Sequence, residues 1–434
     1  MVPIKDYPQR YALTGELHAR PFPSIQAPAT AVFLAIKQPE DAAHRDKRED
    51  LAHLIALLDH YGAPRPDAEA THYYGEMGKY WLKWEQHTEF VTYTVFRGEM
   101  GERAFDPDEF EVFPDYWLND APGARITSAL LRIMPKPASE DEIKERLSDW
   151  FVPESLAVAS VLEGAAIVAS DFRIDPAGHL RMAVFKDETA GARRTGRIVQ
   201  RLCEIETYKS ASMLGFSMVR WLAPQLNELD TRLTDLMAQM RGPAARAEDT
   251  LHKLLDISVE LETLQAKTAF RFGATGAYRA IVDQRIKVLR EERFQSRQGF
   301  AEFMLRRYEP AMRTVQSSEN RLKTMAARAI RAAELLRTRV DVERSAQNQD
   351  ILASMDKRAD LQLRLQKTVE GLSVVAISYY AVSLAGYLLY PVADAVGISR
   401  GLLVAGVTIP VVGAVWLAIR RIRHLVERQG PGLD

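Results

Sequence analysis

Two long uncharged runs near the C-terminus constrain this chain more than any other feature of its sequence. Residues 371–393 and 401–419 contain no Asp, Glu, Lys or Arg. A helix needs roughly 20 apolar residues to cross a hydrocarbon core of about 30 Å, and both runs are long enough. The short polar segment 394–400 separates them. The two runs therefore predict a transmembrane hairpin.

Positive charges at both ends of the hairpin predict its orientation. They are Arg358, Arg364 and Lys367 before the first run, and Arg420, Arg421, Arg423 and Arg428 after the second. Positively charged flanks stay on the cytoplasmic side, so we expect both chain termini to be cytoplasmic. The first ten residues lack the apolar run of a secretory signal, and we expect none there.

The net charge of −1 hides an uneven distribution. Residues 1–193 carry 21 Lys and Arg against 32 Asp and Glu, a balance of −11. The remainder carries 36 against 26, a balance of +10. Lys and Arg near a membrane are attracted to anionic head groups, so membrane lipid is an expected partner of the basic half. Alternatively, the excess of Lys and Arg lies on helix faces that are exposed to water.

Residues 1–193 have the pattern of a mixed α/β domain. Runs rich in β-forming residues predict strands at 31–36, 90–96, 129–134, 164–170 and 180–185. Helical spacing predicts helices at 40–61 and 139–151, and Ser139 followed by Glu142 predicts a capping box. The sequence Asp-Pro-Ala-Gly at 175–178 predicts a turn. Trp81, Trp84 and Trp117 are expected to fill the core of this domain.

Residues 194–370 predict a stalk of long helices. Gly273 and Gly276 suggest a bend or a close approach of two helices. Residues 311–370 contain neither Gly nor Pro and would form a rod of about 90 Å. A predicted coiled-coil seam consists of Leu322, Met325, Ala329, Ala332 and Leu336, and apolar residues return less regularly at Ile351, Met355 and Leu365. We expect the rod to continue into the first membrane helix and to transmit tilt or rotation.

The predicted fold class is therefore α+β. It comprises a cytoplasmic α/β domain (1–193), a helical coiled-coil stalk (194–370), a transmembrane hairpin (371–419) and a basic cytoplasmic tail (420–434).

Polar residues recur along one side of the first membrane helix. They are Ser373, Tyr380, Ser383, Tyr387 and Tyr390. Polar groups in a membrane span usually face protein or water, so Ser373, Tyr380, Ser383 and Tyr387 are candidates to face a pore or the axis of an oligomer. Alternatively, the serines bond to their own helix and the tyrosines belong to an interfacial belt. The second helix has small residues that favour close packing.

A second candidate site lies near the N-terminus. In an extended segment Glu16, His18 and Arg20 would point to the same side, forming a polar cluster that could bind an anion or transfer protons. The alternative is that they tie this segment to its neighbours by hydrogen bonds.

Other signals of chemistry are weak. The acidic segment 106–111 offers oxygen ligands that Mg²⁺ or Ca²⁺ accept, but lacks the spacing of a known loop; a metal site stays undetermined. His53 and His60 share a helix face, at a spacing unusual for metal ligands. Cys203, the single cysteine, is expected to be buried. We find no enzyme signature and predict no catalytic residue, no cofactor and no nucleic-acid partner.

Several stretches resemble an uncharacterised family of bacterial membrane-anchored proteins. These stretches are Glu-Leu-His-Ala-Arg-Pro-Phe-Pro at 16–23, Glu-Ile-Glu-Thr-Tyr at 204–208, residues 306–314, Leu-Leu-Arg-Thr-Arg-Val at 335–340 and residues 362–380. The resemblance covers nearly the whole chain. It implies a membrane anchor, with no assigned activity, in a bacterial inner membrane.

The predicted plan also resembles the CorA-type magnesium channels, in which a long helix leads from an acidic cytoplasmic domain into the first span. Those channels carry Gly-Met-Asn after the first span, whereas this chain has Gly386-Tyr-Leu and Tyr390-Pro391. The resemblance therefore extends to the plan and not to magnesium transport.

Two functions follow as expectations. The first is a homo-oligomeric inner-membrane channel or transporter gated by its cytoplasmic domain, with a divalent cation as one candidate ion. The second is a membrane-tethered oligomeric scaffold that recruits an unidentified cytoplasmic partner and transports nothing.

Overall fold

A nine-stranded sheet organises the N-terminal part of the chain. Its strands are β1 Ala29–Lys37, β2 His72–Met77, β3 Tyr80–Gln86, β4 Phe90–Arg97, β5 Ala124–Pro135, β6 Ala157–Val161, β7 Ala166–Ile174, β8 Leu180–Lys186 and β9 Glu292–Arg293. They lie in the order β2-β3-β4-β1-β5-β8-β7-β6-β9. β5 and β8 are parallel, and the other neighbours are antiparallel. All five predicted strands are confirmed, within a sheet larger than predicted.

Nine α-helices accompany the sheet in the computed structural model, which describes residues 4–18, 21–40, 45–240, 247–397 and 399–428. They are α1 Arg10–His18, α2 Lys47–His60, α3 Asp115–Asn119, α4 Glu140–Trp150, α5 Ala192–Gln239, α6 Ala247–Leu289, α7 Phe300–Arg307, α8 Glu309–Val396 and α9 Arg400–Arg428. The chain forms two units, one of residues 1–241 and 249–333, the other of residues 242–248 and 334–434. The boundary expected at residue 193 lies inside the first unit. The α+β class is confirmed.

One face of the sheet carries the main hydrophobic core. Val32, Leu34 and Ile36 alternate along β1 and lie in one buried cluster with Leu54 and Leu58 of α2. This alternation follows from the period of two along a strand.

The tryptophan prediction is correct for two residues of three. Trp84 and Trp117 are buried in this core, whereas Trp81 is 42% exposed. Three positions along a strand reverse the side-chain direction, so Trp81 and Trp84 of β3 point to opposite faces of the sheet.

Helix α5 covers the opposite face of the sheet through polar as well as apolar contacts. Lys83 Nζ of β3 donates to Gln200 Oε1 at 2.8 Å, and Thr127 Oγ1 of β5 donates to Glu206 Oε1 at 3.1 Å. Buried polar groups need such partners, because each one left unpaired costs about 1–3 kcal/mol.

Local turn and capping signals are partly confirmed. The predicted turn forms, and Gly178 N donates to Asp175 O at 2.9 Å. Ser139 caps α4 by accepting from Asp141 N at 3.1 Å. The capping box is wrong, because Glu142 accepts from Arg146 at 2.5 Å and is absent from the hydrogen bonds of the cap.

The glycines expected to bend the helical region do not interrupt it. Gly273 and Gly276 lie within α6, which continues to Leu289, and a Cβ added to either would meet nothing within 4 Å. The close approach occurs at Gly215 of α5, where an added Cβ would lie 2.3 Å from Thr275 Oγ1 of α6. The steric need for glycine depends on the facing helix, which the local pattern does not reveal.

Alanine substitutions at two of these glycines should have opposite effects. Gly215→Ala is expected to lower the free energy of unfolding by about 1–3 kcal/mol, because α5 and α6 must separate or repack. Gly276→Ala, in open space on α6, should raise it by up to about 1 kcal/mol through helix propensity. Chemical denaturation of the full-length protein in detergent measures both, and a loss at Gly276 equal to that at Gly215 would contradict the packing argument.

The side chains of the seam predicted around Leu322 are buried within a single chain. All five of its residues are buried, from Leu322 to Leu336. Beside it, Arg321 and Arg328 of α8 pair with Asp230 of α5, at 2.9 and 3.4 Å. These residues therefore pack within the chain's own helical layer, and the coiled coil predicted at this position stays a prediction.

Helix α8 confirms the uninterrupted rod. It runs from Glu309 to Val396 and contains the first apolar run. The link to α9 is shorter than the predicted segment 394–400, since α8 continues to Val396 and α9 begins at Arg400. Residues 344–369 of α8 are all exposed.

Candidate functional site

The two apolar helices at the C-terminus are long and apolar enough to cross a membrane. A core helix of a soluble protein can pass the same test, but such a helix is mostly buried. Here 11% of the most apolar segment of α8 is buried, and none of the most apolar segment of α9. The exposed surface of both helices is therefore available to lipid or to another protein.

A groove of about 550 Å³ separates α8 from α9. Its walls combine valines with hydroxyl groups, and the hydroxyl-bearing residues that line it are Ser378, Tyr379, Ser383, Tyr387, Tyr390 and Thr408. Thr408 Oγ1 donates to Val404 O within α9 at 2.7 Å, the bond expected of a threonine inside an apolar helix. The groove can thus offer hydroxyl groups to a polar atom within an otherwise apolar surface.

Ser378 is the unusual residue of the groove. Its side chain is 7% exposed, and its Oγ has no hydrogen-bond partner among the described residues. A buried hydroxyl without a partner is costly, so this atom retains the capacity to bind a water, an ion or a hydroxyl-bearing ligand.

The structure separates the four residues predicted to face a pore or an oligomer axis. Ser383 and Tyr387 line the groove together with Ser378. Ser373 borders a second, more open hollow of about 740 Å³ beside Ile419 of α9. Tyr380 is 72% exposed and is not among the residues of either hollow. Their role at an axis stays a prediction. Ser378 was not among the predicted residues, and its spacing of five from Ser383 is not one that places two residues on the same face of a helix, so the sequence pattern did not reveal it.

The N-terminal polar cluster stays a prediction as well. Helix α1 extends through positions 16 and 18, so the extended conformation assumed for this segment is not present. The side chains of Glu16 and His18, and Arg20 as a whole, lie outside the described residues.

A buried charge cluster in the first unit was missed by sequence reasoning. Glu89, in the loop before β4, is fully buried and accepts from both terminal nitrogens of Arg271, at 3.2 and 2.5 Å. Tyr278 donates to the same carboxylate at 2.9 Å, and Lys37 Nζ lies 3.7 Å from it. Burial and the neighbouring Arg271 lower the pKa of Lys37, against the opposite effect of Glu89. The cluster ties α6 to the end of the sheet.

The remaining candidates have structural roles. His53 is buried between Tyr93 and Trp117, whereas His60 bonds to the exposed Tyr116 hydroxyl at 2.9 Å. Within the ranges that the structure describes, no three His, Cys, Asp or Glu side chains are gathered as metal ligands. The acidic segment lies on a 3-10 helix, Pro107–Val112.

Two buried groups that resemble catalytic ones are shielded from solvent. Ser128 Oγ lies 2.9 Å from His179 Nδ1, but both residues are buried. Burial raises the pKa of the Cys203 thiol well above its usual range, so this cysteine is not an activated nucleophile.

The fold and these sites define a class of protein with a nine-stranded α+β unit and two C-terminal helices able to cross a membrane. The family model described as "Protein of unknown function (DUF3422)" matches residues 5–426. The chain therefore belongs to this family. Searches of curated proteins and of solved structures find no match.

Proposed function

We propose that this protein is a membrane-anchored homo-oligomer that acts as a scaffold in a bacterial inner membrane. Helices α8 and α9 anchor it, and the α+β unit recruits a partner on the cytoplasmic side. One observation carries the proposal. Residues 344–369 of α8 are exposed throughout, yet they include large apolar side chains that water solvates poorly.

The anchor is supported by the composition of the two helices and of their ends. Arg420 follows the second apolar run and its guanidinium lies 5.0 Å from the Trp416 ring centroid. Tryptophan and arginine at this position are typical of a membrane–water interface. The cytoplasmic orientation of both ends follows from the same basic flanks.

The oligomer is supported by the exposure of residues 344–369 of α8 in the single chain. Most helical stability in proteins comes from the packing of an apolar face rather than from intrinsic propensity. The exposed stretch includes Ile351, Met355, Leu361 and Leu365, too many large apolar residues for a solvated surface. A scaffold made of several copies would cover them.

Ion passage is a second candidate function, favoured by the hydroxyl-lined groove and by the unpartnered Ser378 Oγ. A conducting pathway needs polar atoms along the span, and Ser383 and Tyr387 would contribute to it. The exposed position of Tyr380, away from this groove, favours the scaffold instead.

One reconstitution separates these functions. We expect the full-length protein, purified in detergent, to have a mass of more than one chain by light scattering. In liposomes loaded with a magnesium-sensitive dye, we expect no influx above that of empty liposomes.

A Mg²⁺ influx that Ser383→Leu abolishes and Leu384→Ile preserves would replace the scaffold with a channel. A chain that is soluble and monomeric without detergent would contradict both functions.

A further inference from the structure

Seven positions on one face of α8 follow a heptad pattern immediately before and into the first apolar run. They are Ile351, Met355, Arg358, Gln362, Leu365, Val369 and Leu372, at alternating spacings of four and three. This is the a/d spacing of a coiled coil. Five of them are large apolar residues that are 54–68% exposed in the single chain.

The charged residues of the same stretch avoid this face. Residues 351–372 contain seven of them, and the six that lie at the outward b, c and f positions are Asp356, Lys357, Asp360, Arg364, Lys367 and Glu370. Arg358 alone lies in the seam. A helix surrounded by water can carry charges on every face, whereas a helix that packs along one face has its charged residues on the other faces.

The pattern of the seam favours a second copy of this chain as the occupant. In a parallel coil each seam residue meets its own counterpart, so one sequence supplies both sides. Two copies anchored by α8 in the same membrane would have the same direction. This step depends on the proposed membrane-anchored homo-oligomer.

We propose that residues 351–372 of two copies form a parallel, in-register, two-stranded coiled coil with a polar layer at Arg358 and Gln362. Val369 occupies an a position between Leu365 and Leu372 at d positions, and a β-branched a residue with leucine at d favours two strands. These three residues form the apolar part nearest the membrane.

The polar layer fixes the register of the two helices. In register, each Arg358 faces its counterpart, and its long side chain can carry the guanidinium outward to water. A slip of one heptad would place Arg358 against Leu365 and Gln362 against Val369. Such polar seam positions lower stability and in return specify register and the number of strands.

Two leucines provide a matched test of the seam. Leu365 lies in it, whereas Leu363 lies at an outward position, and the two are 66% and 57% exposed in the single chain. The native Cys203 is buried, so an introduced cysteine is the accessible thiol. Upon mild oxidation in isolated membranes, full-length Leu365→Cys should form a disulfide-linked dimer in high yield, and Leu363→Cys should form little.

Equal cross-linking of the two variants would overturn the seam. If neither cross-links while light scattering gives an oligomer, the seam is wrong and the homo-oligomer remains. If neither cross-links and the protein is monomeric, both proposals fail. A mass of three or more chains for the unmodified protein would overturn the two-stranded arrangement.

A second pair of variants tests the polar layer. Arg358→Leu should strengthen self-association in detergent by about tenfold or more, because a like-charge pair is replaced by apolar contact, and should yield species larger than dimers. Arg364→Leu, at an outward position where Arg364 pairs with Asp360, should leave both properties unchanged. Weaker association of Arg358→Leu, or equal effects of the two variants, would overturn the layer.

Discussion

Glu89→Gln should lower the free energy of unfolding by about 3–5 kcal/mol, the loss typical of a buried ion pair that loses one partner. Lys37 would remain buried, and Arg271 half-buried, at the end of the sheet without a carboxylate. The geometry makes the loss large, since Arg271 binds both oxygens of Glu89 and Tyr278 donates to one of them. Chemical denaturation of the full-length protein in detergent, followed by tryptophan fluorescence, measures it.

An exposed pair of the same geometry serves as the control. Arg232 also binds both oxygens of Glu260, at 3.0 and 3.1 Å, but the two side chains are 41% and 47% exposed. Glu260→Gln should therefore cost no more than about 1 kcal/mol. Similar losses for Glu89→Gln and Glu260→Gln would mean that burial does not strengthen the first pair.

The Glu89 cluster also shows what a single sequence does not reveal. Its carboxylate and its arginine are 182 positions apart, and no local spacing connects them. The available signal was on α6, where Arg271 and Tyr278 lie seven positions apart beside a buried stripe that includes Phe272 and Thr275. Two polar residues next to a core stripe indicate a buried polar contact, but not its partner.

Periodic elements were predicted well, because their periods follow from backbone geometry. The alternation in β1 and the Gly-free and Pro-free stretch of α8 both formed as expected. β2, β3, β6 and β9 were missed. β2 includes Gly75 and lies at the edge of the sheet, and the polar positions Lys83 and Glu85 of β3 face α5, so these two strands lack the apolar run that marks a buried strand. β6 and β9 have only five and two residues, too few for a strand period to be recognised.

The two apolar seams of α8 show that a period does not identify a partner. Leu322 and Leu365 both recur at helical spacing, but the first is buried in its own chain and the second is exposed. The structure makes this distinction, because it shows that α5 residues such as Asp230 already lie beside the first seam. The less regular pattern of the second seam, interrupted by Arg358, is the one left for a partner.

His53 should make the first unit sensitive to acid. Burial lowers its pKa from 6.5 to about 4, because the ring is enclosed by Trp117, on which it stacks at 3.8 Å, and by Tyr93. Trp117 O can only accept, so Nε2 carries the proton, and Nδ1 accepts from the Tyr93 hydroxyl at 3.0 Å. A proton on Nδ1 would remove that acceptor.

The sign of the pH dependence follows from this lowered pKa. Between pH 6.5 and about pH 4, the imidazole is protonated in the unfolded chain and neutral in the folded protein. The free energy of unfolding therefore decreases as the pH is lowered through this range. A pKa lowered from 6.5 to about 4 corresponds to a loss of about 3 kcal/mol in the free energy of unfolding. The free energy of unfolding of the full-length protein, measured in detergent between pH 7.5 and 4, should show this decrease in addition to the one caused by protonation of carboxylates.

Substitution isolates the histidine from the other titrating groups. His53→Gln keeps a hydrogen-bonding side chain that does not titrate, so its stability should fall less steeply between pH 6.5 and 4 than that of the unmodified protein. His60→Gln, at the exposed C-terminal end of the same helix, controls for the loss of a histidine from α2. If the free energy of unfolding of His53→Gln depends on pH as steeply as that of the unmodified protein, the acid sensitivity comes from other groups. If the dependence is weaker in this variant alone, by about 3 kcal/mol between pH 6.5 and 4, it comes from the buried ring of His53.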